Sequence, residues 1–490
     1  MSCTTILVGK KATYDGSTFT ARIEDSGSGS YTPKKFVYVK AEEQPKLYKS
    51  VVSHVEIPLD LPAMGYTAMP NASDKNGVWG AAGVNSANVS MTATETITTN
   101  NRVLAADPLV VYQPVANGKP EVAGGIGEED MVTLTLPYIH SAREGVERLG
   151  ALLEKYGTYE MNGIAFQDVD EIWWLETIGG HHWMAVRVDD EKYVVMPNQL
   201  GIDSFDFQDA YGAQKNHMCC KDLKDFVRTN HLDLSLDGKF NPRLAFGSHT
   251  DSDHVYNTPR AWFIERYFSA SQYKWDGEGA DYQPWSDDLP FSMIPDHKIT
   301  VEEMKYALSS HYQGTPYDPY GKGEDPARKG LFRPVGVDRN CFLSLVQIRP
   351  YLPESYRTIE WLCFGSNVFN AFVPQYVNIA QTPAYFRNTT EEVNSTSFYW
   401  ANRLIGALAD HSYTRSLPYV ERYQQKVPSA CGSIILKYDR LAGDKADPSL
   451  LEKANEEIAQ LVRKQTDALL AEVLHQASLT MKNYYGRSDA

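Results

Sequence analysis

Residues 3–26 read CTTILVGKKATYDGSTFTARIEDS. The stretch opens on a cysteine, continues in β-branched and apolar residues and stops at Gly9, the composition of a short buried strand. An Asp15–Gly16 dipeptide separates it from a second β-prone run, Thr18 to Arg22. That arrangement predicts two antiparallel strands joined through a turn, with Cys3 at the head of the first. Cysteine is ordinarily a buried packing residue and a chain start ordinarily frays, so a thiol that begins a strand calls for a chemical reason.

Removal of Met1 and Ser2 supplies one. The α-amine then released on Cys3 titrates at about 7.7–8.0, close to working pH, and can take the proton of its own residue's thiol without any histidine. The return strand offers two orienting groups in ARIED: Arg22 to stabilise a thiolate and Asp25 to accept a hydrogen bond from the α-ammonium. A surface ion pair in a hairpin is the competing reading of these two. An amide nitrogen cannot act as base, so the expectation includes trimming of Ser2 and an inactive chain before it.

Outward from this stretch, KFVYVKAE (residues 35–42) and HVEIPLDL (residues 54–61) read as further strands. Residues 76–97, NGVWGAAGVNSANVSMTATETI, start on a turn and continue in small and apolar residues suited to close sheet packing. AREGVERLGALLEKYG (142–157) has helical spacing and a glycine stop. Residues 171–202, EIWWLETIGGHHWMAVRVDDEKYVVMPNQLGI, read as a three-strand meander. RAWFIERYFSA (260–270) and VEEMKYALSSHY (301–312) read as helices, and residues 448–483 as one long amphipathic helix or two. Strands, helices, strands, helices in that order predict an α+β architecture with antiparallel sheets.

The chain has 490 residues, 42% hydrophobic and 22% charged, with a formal net charge of −15. This is a folded globular composition, and its acidity speaks against nonspecific nucleic-acid binding. The six cysteines form no C-x-x-C pair, so a reduced, cytoplasmic chain is expected. No secretory h-region or membrane-length apolar run is present. H-E-x-x-H, G-x-S-x-G, Walker A and a Rossmann glycine set are all missing. HTDSDH (His249–His254) reads as a solvated acidic loop, and His181 and His182 as structural or substrate-lining, since neighbouring strand residues face opposite ways.

The N-terminal stretch resembles the start of the bacterial C69-family dipeptidases of dipeptidase A type. It is more distantly similar to choloylglycine hydrolases and penicillin V acylases. The blocks NGVWGAAGVNSANVSMTATET, EIWWLETIGGHHWMAVRVDDEKYVVMPNQLGI and VYNTPRAWFI carry the resemblance further, in family order. It implies an N-terminal-nucleophile hydrolase with a four-layer αββα sandwich and a helical C-terminal extension. It also implies Cys3 as nucleophile, Arg22 and Asp25 as its orienting pair, Asn85 and Asn198 as oxyanion donors and Arg260 in the charge network. Each has a plainer reading: Asn85 as a turn residue, Asn198 as a strand terminator, Arg260 as a surface ion pair. His181, His182 and Trp183 are candidate pocket residues; for Trp173, Trp174 and Trp183 core packing competes.

The expected organisation is a leader at 1–2, a hydrolase core at 3–400 with insertions, and a helical region at 401–490 packed on it. The expected activity is hydrolysis of dipeptides of broad specificity through an acyl-enzyme, with no metal and no cofactor. The expected partners are a small peptide substrate and further copies of the chain, with no nucleic acid and no membrane. An amidase acting on nonpeptide acyl amides, or a noncatalytic relative that uses the fold for binding, are the alternatives.

Overall fold

A computed structural model describes residues 3–59, 62–322 and 325–482. The expected leader, Met1 and Ser2, lies outside the described residues, as do the end of HVEIPLDL (residues 60 and 61) and residue 483 of the expected tail helix. The fold is mixed α+β with antiparallel sheets, as the order of elements predicts.

The larger sheet is built around the opening stretch. Strand β1 (Cys3–Val8) pairs with β2 (Thr18–Asp25), Cys3 opposite Glu24 and Thr5 opposite Arg22. Nine residues connect them, 9–17, so the Asp15–Gly16 turn sits inside a wider loop than a tight hairpin. On its other side β1 pairs with β12 (Tyr193–Met196), which carries β14 (Ser292–Met293) at the edge. Beyond β2 follow β15 (Asn340–Ile348), β16 (Thr358–Phe364) and β17 (Val373–Tyr376). Every neighbouring pair is antiparallel.

The second sheet runs in the order β13 (His217–Cys219), β11 (His182–Arg187), β10 (Ile172–Ile178), β9 (Asn162–Gln167), β8 (Ser90–Thr96) and β7 (Ala82–Val84). Two short hairpins, β3 (Val37–Val39) with β6 (Tyr66–Ala68) and β4 (Leu47–Lys49) with β5 (Glu56–Pro58), complete the strands. The meander expected over residues 171–202 is broken. Its first two strands pair as β10 and β11, but the third, β12, crosses to the other sheet and joins β1. Gly9 permits that crossing: its N–H bonds Lys192 O, and a Cβ there would overlap the backbone of Asp189 and Asp190.

The two faces of β1 enter different cores. Leu7 packs with residues of the second sheet, including Met91 and Ile164. Ile6 and Val8 pack with Trp262, Ile264 and Phe268 of the helix Thr258–Phe268. Alternation along the strand puts Cys3 on the face of Leu7 and Thr4 on the face of Ile6. The helix Ala142–Tyr156 buries Val146, Leu149 and Leu153 against the second sheet. The helix expected over 301–312 stops at Ala307, and Tyr312 takes a φ of 65°.

The C-terminal helices Phe398–His411, Tyr413–Ala442 and Pro448–Ser478 share one core with β16 and β17, through Tyr423, Val427, Ile458 and Val462 against Ile359, Leu362 and Val373. Residues 448–478 form one helix. Among the described residues no helix is long and apolar enough to cross a membrane.

Candidate active site

Cys3 is fully buried where β1 begins. Its Sγ accepts a hydrogen bond from Arg22 Nη2 at 3.1 Å, and its backbone nitrogen donates to Asn198 Oδ1 at 3.2 Å. The β1–β2 register explains the first contact: Arg22, opposite Thr5, shares the face of Cys3. The second follows from the β1–β12 pairing, which ends at Thr5 opposite Met196 and brings the next two residues of that chain, Pro197 and Asn198, past the start of β1.

Arg22 is itself fully buried and multiply held. Nη1 donates to Ala81 O at 2.8 Å and to Ala93 O, and Nη2 to Glu128 Oε1 at 2.6 Å. Glu24 lies 3.4 Å from Nη1 and 2.7 Å from Lys34 Nζ, so cations and carboxylates alternate beneath the thiol. Burial would raise the Glu128 carboxyl, but neighbouring cations, the Arg22 guanidinium first among them, outweigh it and hold the group below its ordinary range.

Arg260 comes from the first turn of the helix Thr258–Phe268. Its Nη1 donates to Cys3 O and to Thr4 Oγ1 (2.8 Å), its Nη2 to Asn198 Oδ1 (2.8 Å) and Asn257 Oδ1 (2.6 Å). Asn198 Nδ2 donates to Thr96 O at 2.8 Å. A polar cleft of about 350 Å³ opens here, lined by Thr96, Thr98, Asn198, Tyr256 and Asn257 among others.

The structure therefore brings Cys3, Arg22, Asn198 and Arg260 together. Asp25 lies near but on the other face of β2, where it pairs with Arg333 and accepts from Asn340 Nδ2. Burial, and next Arg339, press the Arg333 guanidinium down to about 9, while Cys3 acts in the opposite sense.

Asn85 is not part of the cluster. Its Nδ2 donates to Leu136 O (2.9 Å) and Ile139 O (2.7 Å), and its Oδ1 accepts from Ala87 N (3.0 Å) and Val89 N (3.1 Å). It follows directly on β7, four residues beyond Ala81. The expected oxyanion donor is occupied in pinning a loop.

His181, His182 and Trp183 also stand apart, at the start of β11, three strands or about 14 Å across the sheet from β8. Both imidazoles bond Asp107 through Nδ1, at 3.0 and 2.7 Å, and burial notwithstanding these bonds hold the Asp107 carboxyl down at about 2. Trp183 is core, packed over Gly150, with Nε1 donating to Glu154 at 3.1 Å. Trp173 and Trp174 are fully buried. His182, Cys220 and Asp222 bring potential metal-ligand atoms within 4.8 Å of one another, remote from the thiol. His249 and His254 both pair with Asp287.

Sequence reasoning missed Glu128, Arg333 and Asn257. Glu128 opens an acidic first turn, Glu128–Glu129–Asp130, whose complete burial was the discoverable oddity only once the fold was known. Asn257 lies three residues before Arg260, a helical spacing that does carry a signal.

The chain matches the family model described as Peptidase family C69 over residues 2–426. It is 51% identical to a dipeptidase of Bifidobacterium longum, with all of both chains covered. It is 49% identical to a probable dipeptidase A of Streptococcus pyogenes serotype M18, covering 100% of this chain and 98% of that one. It is 43% identical to dipeptidase A of Lactobacillus helveticus, covering 99% of each. A full-length likeness of this strength, together with the buried cysteine that heads β1, places the chain in peptidase family C69.

Proposed function

We propose that this peptidase is a cysteine dipeptidase of N-terminal-nucleophile type, with Cys3 as nucleophile and its own α-amine as base once Met1 and Ser2 are removed. The observation that carries the reading is the setting of Cys3: thiol on Arg22, nitrogen on Asn198, carbonyl on Arg260, all buried beside a polar cleft. Contacts of β1 with β8 and of β2 with β9, with helices packed against each sheet, support a four-layer αββα sandwich. We take residues 3–400 as its core and 401–490 as a helical region packed on that core.

In this reading the amine takes the Sγ proton and the thiolate, steadied by Arg22, attacks the carbonyl carbon of the first residue of a dipeptide. Asn198, at the cleft, supplies a donor to the oxyanion; one such donor is typically worth a hundredfold or more in turnover. Arg260 fixes the strand start so that amine and thiol keep their geometry. The α-ammonium returns its proton to the departing nitrogen, the second amino acid leaves, and a thioester remains on Cys3. Water, deprotonated by the same amine, then releases the first amino acid.

Intact-mass analysis combined with a dipeptide panel tests this. The expected result is a chain beginning at Cys3 that hydrolyses dipeptides, is unaffected by chelators and is inactive as Cys3→Ala. Full activity in a chain that still begins at Ser2 overturns the free-amine mechanism.

A further inference from the structure

We infer that Glu128, backed by Glu160, is the subsite for the α-ammonium of the substrate residue whose carbonyl Cys3 attacks. This rests on the dipeptidase reading and adds to it the reason why a free N-terminus is required.

The same Arg22 nitrogen donates to Cys3 Sγ and to Glu128 Oε1, so carboxylate and thiol stand no more than two hydrogen bonds apart. Glu128 Oε1 is engaged there. Among the described residues Oε2, buried in a residue 1% exposed, has no hydrogen-bond partner. A buried carboxylate oxygen left unpartnered is costly, and it marks a position where a cationic donor is awaited. Glu24 in the same chain of charges is different: it already stands between two cations, Arg22 and Lys34.

Glu160 adds a second carboxylate beside the main chain of Glu128. Its Oε1 accepts the Glu128 N–H at 2.7 Å. It precedes β9, whose Asn162 pairs with Thr96, the residue that also receives Asn198 Nδ2. Glu128 therefore approaches from beneath Arg22 and Glu160 from the end of the second sheet. Burial, and next Glu128, push the Glu160 carboxyl up to about 7, so an arriving ammonium would favour its charged form.

The stereochemistry of the substrate fits this spacing. The α-nitrogen lies two bonds, about 2.5 Å, from the carbonyl carbon under attack. An ammonium–carboxylate bond is about 2.8 Å long, so an ammonium that close to the attacked carbon is within reach of a carboxylate two hydrogen bonds from the thiol. A residue carrying a further peptide bond presents an uncharged amide at that point and leaves Glu128 unpaired, the arrangement by which a polar site rejects an analogue strongly. Cleavage is thereby confined to the bond after the first residue.

The test compares Ala–Ala with propionyl-Ala, its counterpart lacking the α-amine, on the processed full-length enzyme. Wild type is expected to prefer Ala–Ala by at least a hundredfold in kcat/KM. In Glu128→Gln that ratio falls at least tenfold, and in the partly exposed Glu160→Gln by a smaller factor. Should Glu128→Gln not fold, Glu160→Gln alone decides. A ratio unchanged in the folded variants, or equal losses on both substrates, overturns the ammonium subsite. A wild type that hydrolyses neither compound overturns the dipeptidase reading itself.

Discussion

Arg22 holds two roles in one buried guanidinium: it is anchored by Ala81 O, Ala93 O and Glu128, and the same Nη2 that bonds Glu128 also donates to Cys3 Sγ. A cation at that distance favours the thiolate. Arg22→Met should slow alkylation of Cys3 by iodoacetamide at pH 7 at least tenfold, with dipeptide hydrolysis falling further; an unchanged alkylation rate would sink the proposed role. Asn85 calls for the opposite experiment. With all of its amide used on Leu136, Ile139, Ala87 and Val89, Asn85→Ala should cost about 2 kcal/mol or more in urea unfolding and leave the alkylation rate of the folded fraction intact. The sequence signals at this scale were uneven for a physical reason. Cys3 and Arg22 lie on adjoining strands, where a two-residue period decides who faces whom. The odd spacing from Arg22 to Asp25 already places those two on opposite faces. Glu128 meets Arg22 across 106 positions of sequence, and no local period reports such a contact.

At the scale of elements, β17 is an edge strand that a helix covers. Asn455, fully buried in the helix Pro448–Ser478, accepts from Tyr376 N at 2.8 Å and donates to Tyr376 O at 2.9 Å. It completes the hydrogen bonding of an edge that would otherwise face another chain. Asn455→Ala leaves a buried N–H and C=O unpaired, a loss of about 3 kcal/mol, and should raise amide exchange at Tyr376 far more than at Leu362 in β16. Equal protection at both sites would show that the side chain does not hold the edge. Strand identity was readable in the β-branched runs, and the tail helix in its apolar spacing. Partner choice was not: β12 looks like the third strand of a meander with β10 and β11, yet it pairs with β1. The Gly9 contact with the 189–192 turn accompanies that switch, and it is a tertiary contact.

Over the whole molecule, buried carboxyls set how stability changes with pH. Asp130, Glu176 and Glu360 are fully buried, and in each desolvation is the largest influence, pushing the carboxyl up to about 7. Below about pH 4 such a group is protonated in both folded and unfolded chains and contributes no pH dependence. Between there and pH 7 the unfolded chain ionises while the folded one keeps its proton, so the folded state binds more protons and stability falls as pH rises. Asp107, held down at about 2 by its two histidines, works in the other direction and loses its contribution only as pH falls through the acid range. Stability should therefore peak near pH 5 and decline toward pH 8. Glu360 isolates the effect, since its carboxyl accepts from Thr67 Oγ1 at 2.7 Å and Ser344 Oγ at 3.0 Å and touches none of the proposed catalytic groups. Its share of the decline is about 3 kcal/mol. Glu360→Gln, neutral at every pH, should match wild type near pH 5 and unfold at higher urea than wild type at pH 8. If the two chains lose stability in parallel from pH 5 to pH 8, the buried Glu360 proton is not what tilts the curve.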